Sequence, residues 1–177
     1  MDGNSVVSGL GALARNLVPF IVGALAVLMG LALMFSAARA MYRLNGRGAD
    51  PGIGTLSWGR VAGQAFIGAM LLQYARTMQD VSMLAFGSPI QDASAVMAYF
   101  PAAQGMGRWT EVMNVALLWV VTLGWIFGLR GLLQWNKAIS GGGSAGQNGD
   151  LMWGGFWHLI GGAAMVNLAG ALRALFG

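Results

Sequence analysis

The stretch LVPFIVGALAVLMGLALMFSAA, residues 17–38, decides the fold class. It carries no charge, and at about 1.5 Å of rise per residue a helix of this length crosses the ~30 Å hydrocarbon core of a bilayer. Pro19 stands at its start, where the first helical turn has unpaired N–H groups and tolerates proline. Arg39, Arg43 and Arg47 follow, leading into Asn45-Gly46-Arg47-Gly48-Ala49-Asp50-Pro51-Gly52, whose turn residues read as a basic solvent loop. The chain as a whole has 177 residues, 56% hydrophobic and 9% charged. That is too apolar for a domain of its size to hide within one soluble core, so bilayer is the expected solvent.

Three further apolar runs extend this reading. The run at 58–75 is the weakest, with Arg60 near its start, able to snorkel, and Gln64 and Gln73 inside it. The run at 112–129 closes at Arg130, and the run at 151–172 closes at Arg173. Between the second and third, residues 76–111 mix Asp80, Asp92, Arg108, Pro89 and Pro101 with Met83, Leu84, Phe86, Met97, Tyr99 and Phe100, as in a partly helical segment at a membrane surface. SGGGSAGQNGD, residues 140–150, reads as a flexible linker. The expected architecture is all-α and integral to the membrane, with about four transmembrane helices as two hairpins: 1–75, then the interfacial connection 76–111, then 112–177.

Charge gives an orientation. The loops on one side carry Arg39, Arg43, Arg47, Arg60, Arg130 and Lys137 against Asp50 and Asp150. The other side carries Arg15, Arg76, Arg108 and Arg173 against Asp2, Asp80, Asp92 and Glu111. The positive-inside rule then puts both hairpin loops in the cytoplasm and both termini outside. Ala38-Arg39-Ala40 has the small-x-small form of a signal-peptidase site, but the preceding run exceeds a usual signal core and Asp2 spoils the basic leader, so an uncleaved anchor is expected. The halves also share a plan. Setting Trp58-Gly59 on Trp153-Gly154 aligns Ala69-Met70 with Ala164-Met165, which is either an internal duplication or the coincidence that abundant glycine and alanine produce.

The chemistry-bearing residues are few. Without cysteine there are no disulfides, zinc-thiolate sites or thiol nucleophiles. His158 is the single histidine and no carboxylate lies within a predicted span, so a hydrogen-bonded histidine is expected rather than a proton relay or metal ligand. The glycines at 141–149 lack the Gly-Lys-Ser/Thr ending of a phosphate loop, and no Ser-His-Asp set or His-Glu-x-x-His helix occurs. No catalytic residue, metal or cofactor is expected. A transporter would more often show broken helices, a midplane charge or paired carboxylates, none of which the sequence displays. Gln64, Gln73, Asn114 and Asn167 are expected to bridge helices by hydrogen bonds.

What the sequence offers instead is helix packing. Gly124 and Gly128 form GxxxG, Ala65 and Ala69 are its small-residue equivalent, and Gly154, Gly155, Gly161, Gly162 and Gly170 stud the last run. Small residues let backbones approach closely where lipid gives no hydrophobic drive, either within the chain or between copies. The basic set Arg39, Arg43, Arg47, Arg60, Arg130 and Lys137 would touch anionic lipid headgroups, or DNA if several copies ringed a lumen.

Trp153-Gly154-Gly155-Phe156-Trp157-His158-Leu159-Ile160-Gly161-Gly162, with Asn167 and Gly170, together with the glycine-punctuated paired spans, resembles the TraQ-type small membrane proteins of IncI-like conjugative plasmids. These are similar to the DotE/IcmC and DotV proteins of type IVB secretion systems. Each half also looks in outline like a conjugative pilin of the VirB2/TraA type, with two apolar helices and a basic loop between them. The doubled number of spans and the lack of a clear cleaved leader depart from that pattern. The resemblance implies a structural part in conjugative DNA transfer, in the inner membrane or in a pilus. Implied partners are copies of the chain, other type IV secretion components and membrane lipid, with phospholipid a candidate structural component. Transferred DNA would be met only indirectly, along a lumen.

Overall fold

The structure, a computed structural model, describes residues 9, 18–45, 57–91, 96, 108–141 and 145–176. Its elements are α1 (Val18–Asn45), α2 (Trp58–Leu72), α3 (Tyr74–Phe86), α4 (Arg108–Ile139), α5 (Ala145–Val166) and α6 (Leu168–Phe176). No strand occurs among the described residues.

By length and composition, two single helices can cross a membrane: Phe20–Asn45 and Trp109–Ile139, with mean hydropathies of 2.4 and 2.0. A third span exists if Gln147–Val166 and Leu168–Phe176 count together, a pair bent by 97° at its break. The 58–75 run divides instead of crossing as one rod. α2 ends at Leu72 after 15 residues, about 22 Å, which is short of the hydrocarbon thickness. Gln73 leaves helical geometry (φ −109°, ψ 40°), and the chain resumes as α3. The 151–172 run is likewise broken, at Asn167.

Three boundaries move outward from the sequence reading. α1 continues through Arg39 and Arg43 to Asn45, so these arginines stand on a helix and not in a loop. α4 begins at Arg108, inside the expected interfacial segment, and passes Arg130 to reach Ile139. α5 begins at Ala145, so the latter part of the expected linker is helical. Each added residue of an existing helix brings a backbone hydrogen bond, and packing against a neighbour outweighs the roughly 1 kcal/mol that a glycine costs in a helix interior.

The most extensive packing is α4 on α5, followed by α1 on α2, so the two hairpins are present as pairs. Ser57 starts α2 by accepting a hydrogen bond from the Arg60 N–H at 3.3 Å. The hairpins meet through a core that includes Ala26, Ile67, Leu71, Met78, Leu132, Leu159 and Ala163. The outer surface is apolar as well: Phe20, Leu28 and Phe35 on α1 are 74%, 63% and 68% exposed. A soluble protein would bury such a face, whereas in lipid it needs no protein partner.

One constant offset along the chain carries Gly30 to Gly124, Gly68 to Gly162 and Gln73 to Asn167. These pairs are the close crossings of the two hairpins and the two breaks that end α2 and α5. The gapless alignment through the Trp-Gly pairs misses this correspondence by one residue.

Candidate functional site

The hairpins close on glycine. A methyl group placed on Gly124 would lie 2.7 Å from the Gly162 carbonyl oxygen, and one on Gly162 would lie 2.7 Å from both the Gly124 oxygen and the Gly128 nitrogen. Two helical turns on, the same holds for Gly131 and Gly155, at 2.7 and 2.8 Å from each other's carbonyl oxygens. Gly128 faces α3, where added bulk would strike Met78 and the Tyr74 hydroxyl. Tyr74 donates a hydrogen bond to the Trp125 carbonyl oxygen, and its ring meets the Trp125 ring edge-on at 5.6 Å. The Trp135 indole N–H spans α4 to α5, donating to the Met152 carbonyl at 2.8 Å. In the first hairpin, a methyl on Gly30 would stand 2.9 Å from the Gly68 oxygen and the Leu72 nitrogen.

The expected packing residues therefore divide. Gly124, Gly128 and Gly162 are buried within the chain, and Gly154 is half-buried beside the Gln134 side chain. Ala65 is half-buried, while Ala69 and Gly161 are exposed. Neither of the latter two belongs to an internal seam: Gly68, one residue before Ala69, takes the crossing, and a methyl on Gly161 would find nothing within 4 Å. Sequence reasoning did not single out Gly30, Gly68 or Gly131. Gly131 could have been found from its helical spacing to Gly124 and Gly128, whereas Gly30 and Gly68 are recognisable only as a pair.

The basic residues gather at one end. Gln64 Nε2 donates to Ser140 Oγ at 2.9 Å, Gly63 sits against Ile139, and the Arg60 guanidinium lies beside Gly141. The start of α2 is thus docked on the end of α4, and both hairpin tips share one end of the bundle. Arg39 and Arg43 on α1 and Arg60 and Gln64 on α2 line a cleft of about 520 Å³ with Ser36, Ala40 and Val61, while Ala32 and Phe35 border it on the membrane side. Among the described residues these three guanidinium groups have no carboxylate partner. Arg130 and Lys137 are exposed on α4 and outside that cleft, and Arg47 lies outside the described residues. Trp58 and Trp153 are exposed toward this same end, as interfacial aromatics are in membrane proteins.

A polar knot fixes the break after α5. Asn167, 0% exposed, donates through Nδ2 to Ser82 Oγ at 2.8 Å, Ser88 Oγ at 3.0 Å and the Ser88 carbonyl at 3.1 Å. Its Oδ1 accepts from the Gly170 N–H at 3.2 Å, and Ser82 donates to the Ser88 carbonyl at 3.0 Å. Gln73, at the equivalent break, is exposed and gives α3 no side-chain cap. Asn114 is half-buried on α4. His158 donates from Nδ1 to the Gly154 carbonyl at 2.7 Å, and its ring lies 5.6 Å from that of Phe127. No cluster of three His, Cys, Asp or Glu residues suited to a metal occurs among the described residues. No protein-family model, curated protein or solved structure matches the chain.

Proposed function

We propose that this chain is a structural subunit of a type IVB-like conjugative DNA-transfer apparatus, a type IV secretion machine of the bacterial inner membrane, and that it self-associates into a conjugative pilus or membrane conduit. The observation that supports this is the division among its small residues. Gly124, Gly128, Gly131, Gly155 and Gly162 are spent on sealing the chain against itself, while Gly161 and Ala69 open outward on an apolar surface. In lipid, small outward residues are where a neighbouring helix gains most from close approach. Shearing donor cells and identifying the filament protein by mass spectrometry and electron microscopy tests the reading. This chain is expected as the bulk component. Its absence from filaments, with a few copies held in inner-membrane complexes, would replace the polymer by a non-polymerising assembly component of the same machine.

A small transporter or pore is the second reading, favoured by the break at Asn167, since transporters often carry a discontinuous helix near the substrate site. The break expected to be missing is therefore present. Asn167, however, has its hydrogen-bonding groups occupied by Ser82, Ser88 and Gly170. Liposomes carrying the purified chain are expected to show no solute flux above empty ones. Flux that disappears in His158→Ala would establish the transporter.

A further inference from the structure

We propose that the contact between the two hairpins of one chain repeats between chains, with a groove on the outer side of the second hairpin receiving the first hairpin of a second copy. This rests on the self-associating reading and names the two surfaces that it uses. The groove, about 260 Å³, is lined by Phe127, Trp157, His158, Gly161 and Met165. The offset that superposes the hairpins brings Leu33, Gly63, Gln64, Ile67 and Leu71 to these positions. Each of the five is covered where the hairpins meet. Gly63 sits against Ile139, Gln64 donates to Ser140, Ile67 and Leu71 are 0% exposed in the shared core, and Leu33 packs on that core. The surface by which the first hairpin meets the second is thus present again on the second hairpin, and there it is open.

The other side of the first hairpin supplies the occupant. Trp125, Gly128, Leu129 and Ala163 lie where the first hairpin covers the second: Trp125 against Tyr74, Gly128 against Met78, and Leu129 and Ala163 in the core at 8% and 0% exposure. Their counterparts Leu31, Met34, Phe35 and Ala69 are all exposed, Phe35 at 68%. The relation is also one-way. α2 packs on α4 and α3 on α5, whereas the exchanged pairs, α5 on α1 and α6 on α2, have no comparable contact among the described residues. A two-fold relation would satisfy both surfaces within the chain. A one-way relation leaves one surface of each kind open, and contacts of that type continue as rings or filaments. Bulk changes sides across the joint: where Gly63 receives Ile139, the corresponding pair is Trp157 and Asn45. Gly161 and Ala69, the outward small residues, then belong to the two sides of one joint, where close approach gains dispersion that lipid contact does not.

The chain has no cysteine, so introduced thiols report on this joint alone. Full-length Trp157→Cys and Asn45→Cys chains, differently tagged and co-expressed in membranes, are oxidised with a membrane-permeant copper complex and separated without reductant. A disulfide-linked mixed dimer is expected, with neither variant linking to itself, and a chain carrying both changes is expected to give a ladder of multimers. Met34→Cys with Leu172→Cys, the counterparts of Gly128 and Met78, forms an independent pair for which the same pattern is expected. All variants are held to wild-type helix content. Co-purification of the two tags without oxidant separates the two ways of failing. Tags that co-purify while links form only between like variants, or at neither pair, would overturn the head-to-tail joint and leave self-association standing. Tags that do not co-purify would overturn both.

Discussion

In the first hairpin the backbones of α1 and α2 meet closely at Gly30 and Gly68. In the second, those of α4 and α5 meet at Gly124 and Gly162 and again at Gly131 and Gly155. The shared crossing and the shared break, at Gln73 and Asn167, give the two halves one outline. What differs is how far the seam runs beyond the crossing. Glycine at both positions of a second contact brings α4 and α5 together again two turns nearer the tip, while the corresponding positions of α1 and α2 hold the buried Ala37 and Val61 and the ends of these helices border a basic cleft. The breaks differ in the same sense: Asn167 is locked by buried partners and Gln73 is left at the surface. A repeated layout can thus yield a rigid half and a more open half through substitutions of a few atoms.

The sharpest way to break this comparison is Gly124→Leu. Its side chain would start 2.7 Å from the Gly162 oxygen and 2.8 Å from Met165 and Val166, so the helices must separate along the whole α4–α5 seam. A loss of about 3 kcal/mol or more is expected in reversible unfolding from detergent, at the upper end of overpacking costs. Gly30→Leu should cost less, about 2 kcal/mol, because its closest neighbours stand at 2.9 Å where those of Gly124 stand at 2.7 Å. Equal losses would remove the distinction between a long and a short seam.

The breaks give the next largest effect. Asn167→Ala removes the hydrogen bonds that its two amide N–H groups share among Ser82 Oγ, Ser88 Oγ and the Ser88 carbonyl, and leaves Ser82 and Ser88 less satisfied. About 1–2 kcal/mol is expected, within the range for interhelical hydrogen bonds in membranes and for buried groups that lose a partner. Gln73→Ala, with the side chain exposed and uncapping, should change stability by less than about 0.5 kcal/mol. A large effect at Gln73 in the same unfolding assay would show that the two breaks are held alike.

The double change Ala37→Gly, Val61→Gly copies the glycines of the second hairpin into the first. Two interior glycines at about 1 kcal/mol each, with the loss of two buried side chains, give an expected loss of about 2 kcal/mol or more in the same unfolding assay. Unaltered stability would mean that closer approach of α1 and α2 offsets the change and that these two side chains keep the first hairpin from closing like the second.

Much of this was legible in the sequence, and the rest has identifiable reasons for being hidden. The charge-free runs of α1 and α4 are long enough that hydropathy alone places them. Gly124 and Gly128 announced themselves by spacing, whereas Ala65 and Ala69 satisfy the same spacing on a face one residue removed from the crossing at Gly68. Hydropathy could not locate the break at Asn167, because the partners that stabilise it, Ser82 and Ser88, lie 85 and 79 positions earlier in the chain. The arginines were visible as charge; their convergence depended on how far α1 extended and on the α1–α2 register, which composition does not encode.

The smallest expected change in stability carries the most weight for function. Gly161→Leu places its side chain where nothing lies within 4 Å, in an open groove that Gly161 lines with Phe127 of α4 and with Trp157, His158 and Met165, so folding should change by less than about 0.5 kcal/mol. If copies pack through this face, the added bulk would hold neighbouring backbones apart, and crosslinking in native membranes should fall to the monomer while helix content and insertion stay as in the wild type. Gly124→Leu would also abolish assembly, but by opening the subunit, and only the pair of variants separates the two causes. Full crosslinking in Gly161→Leu would mean that this outward glycine is covered by lipid alone, and the self-associating subunit would lose the observation on which it rests.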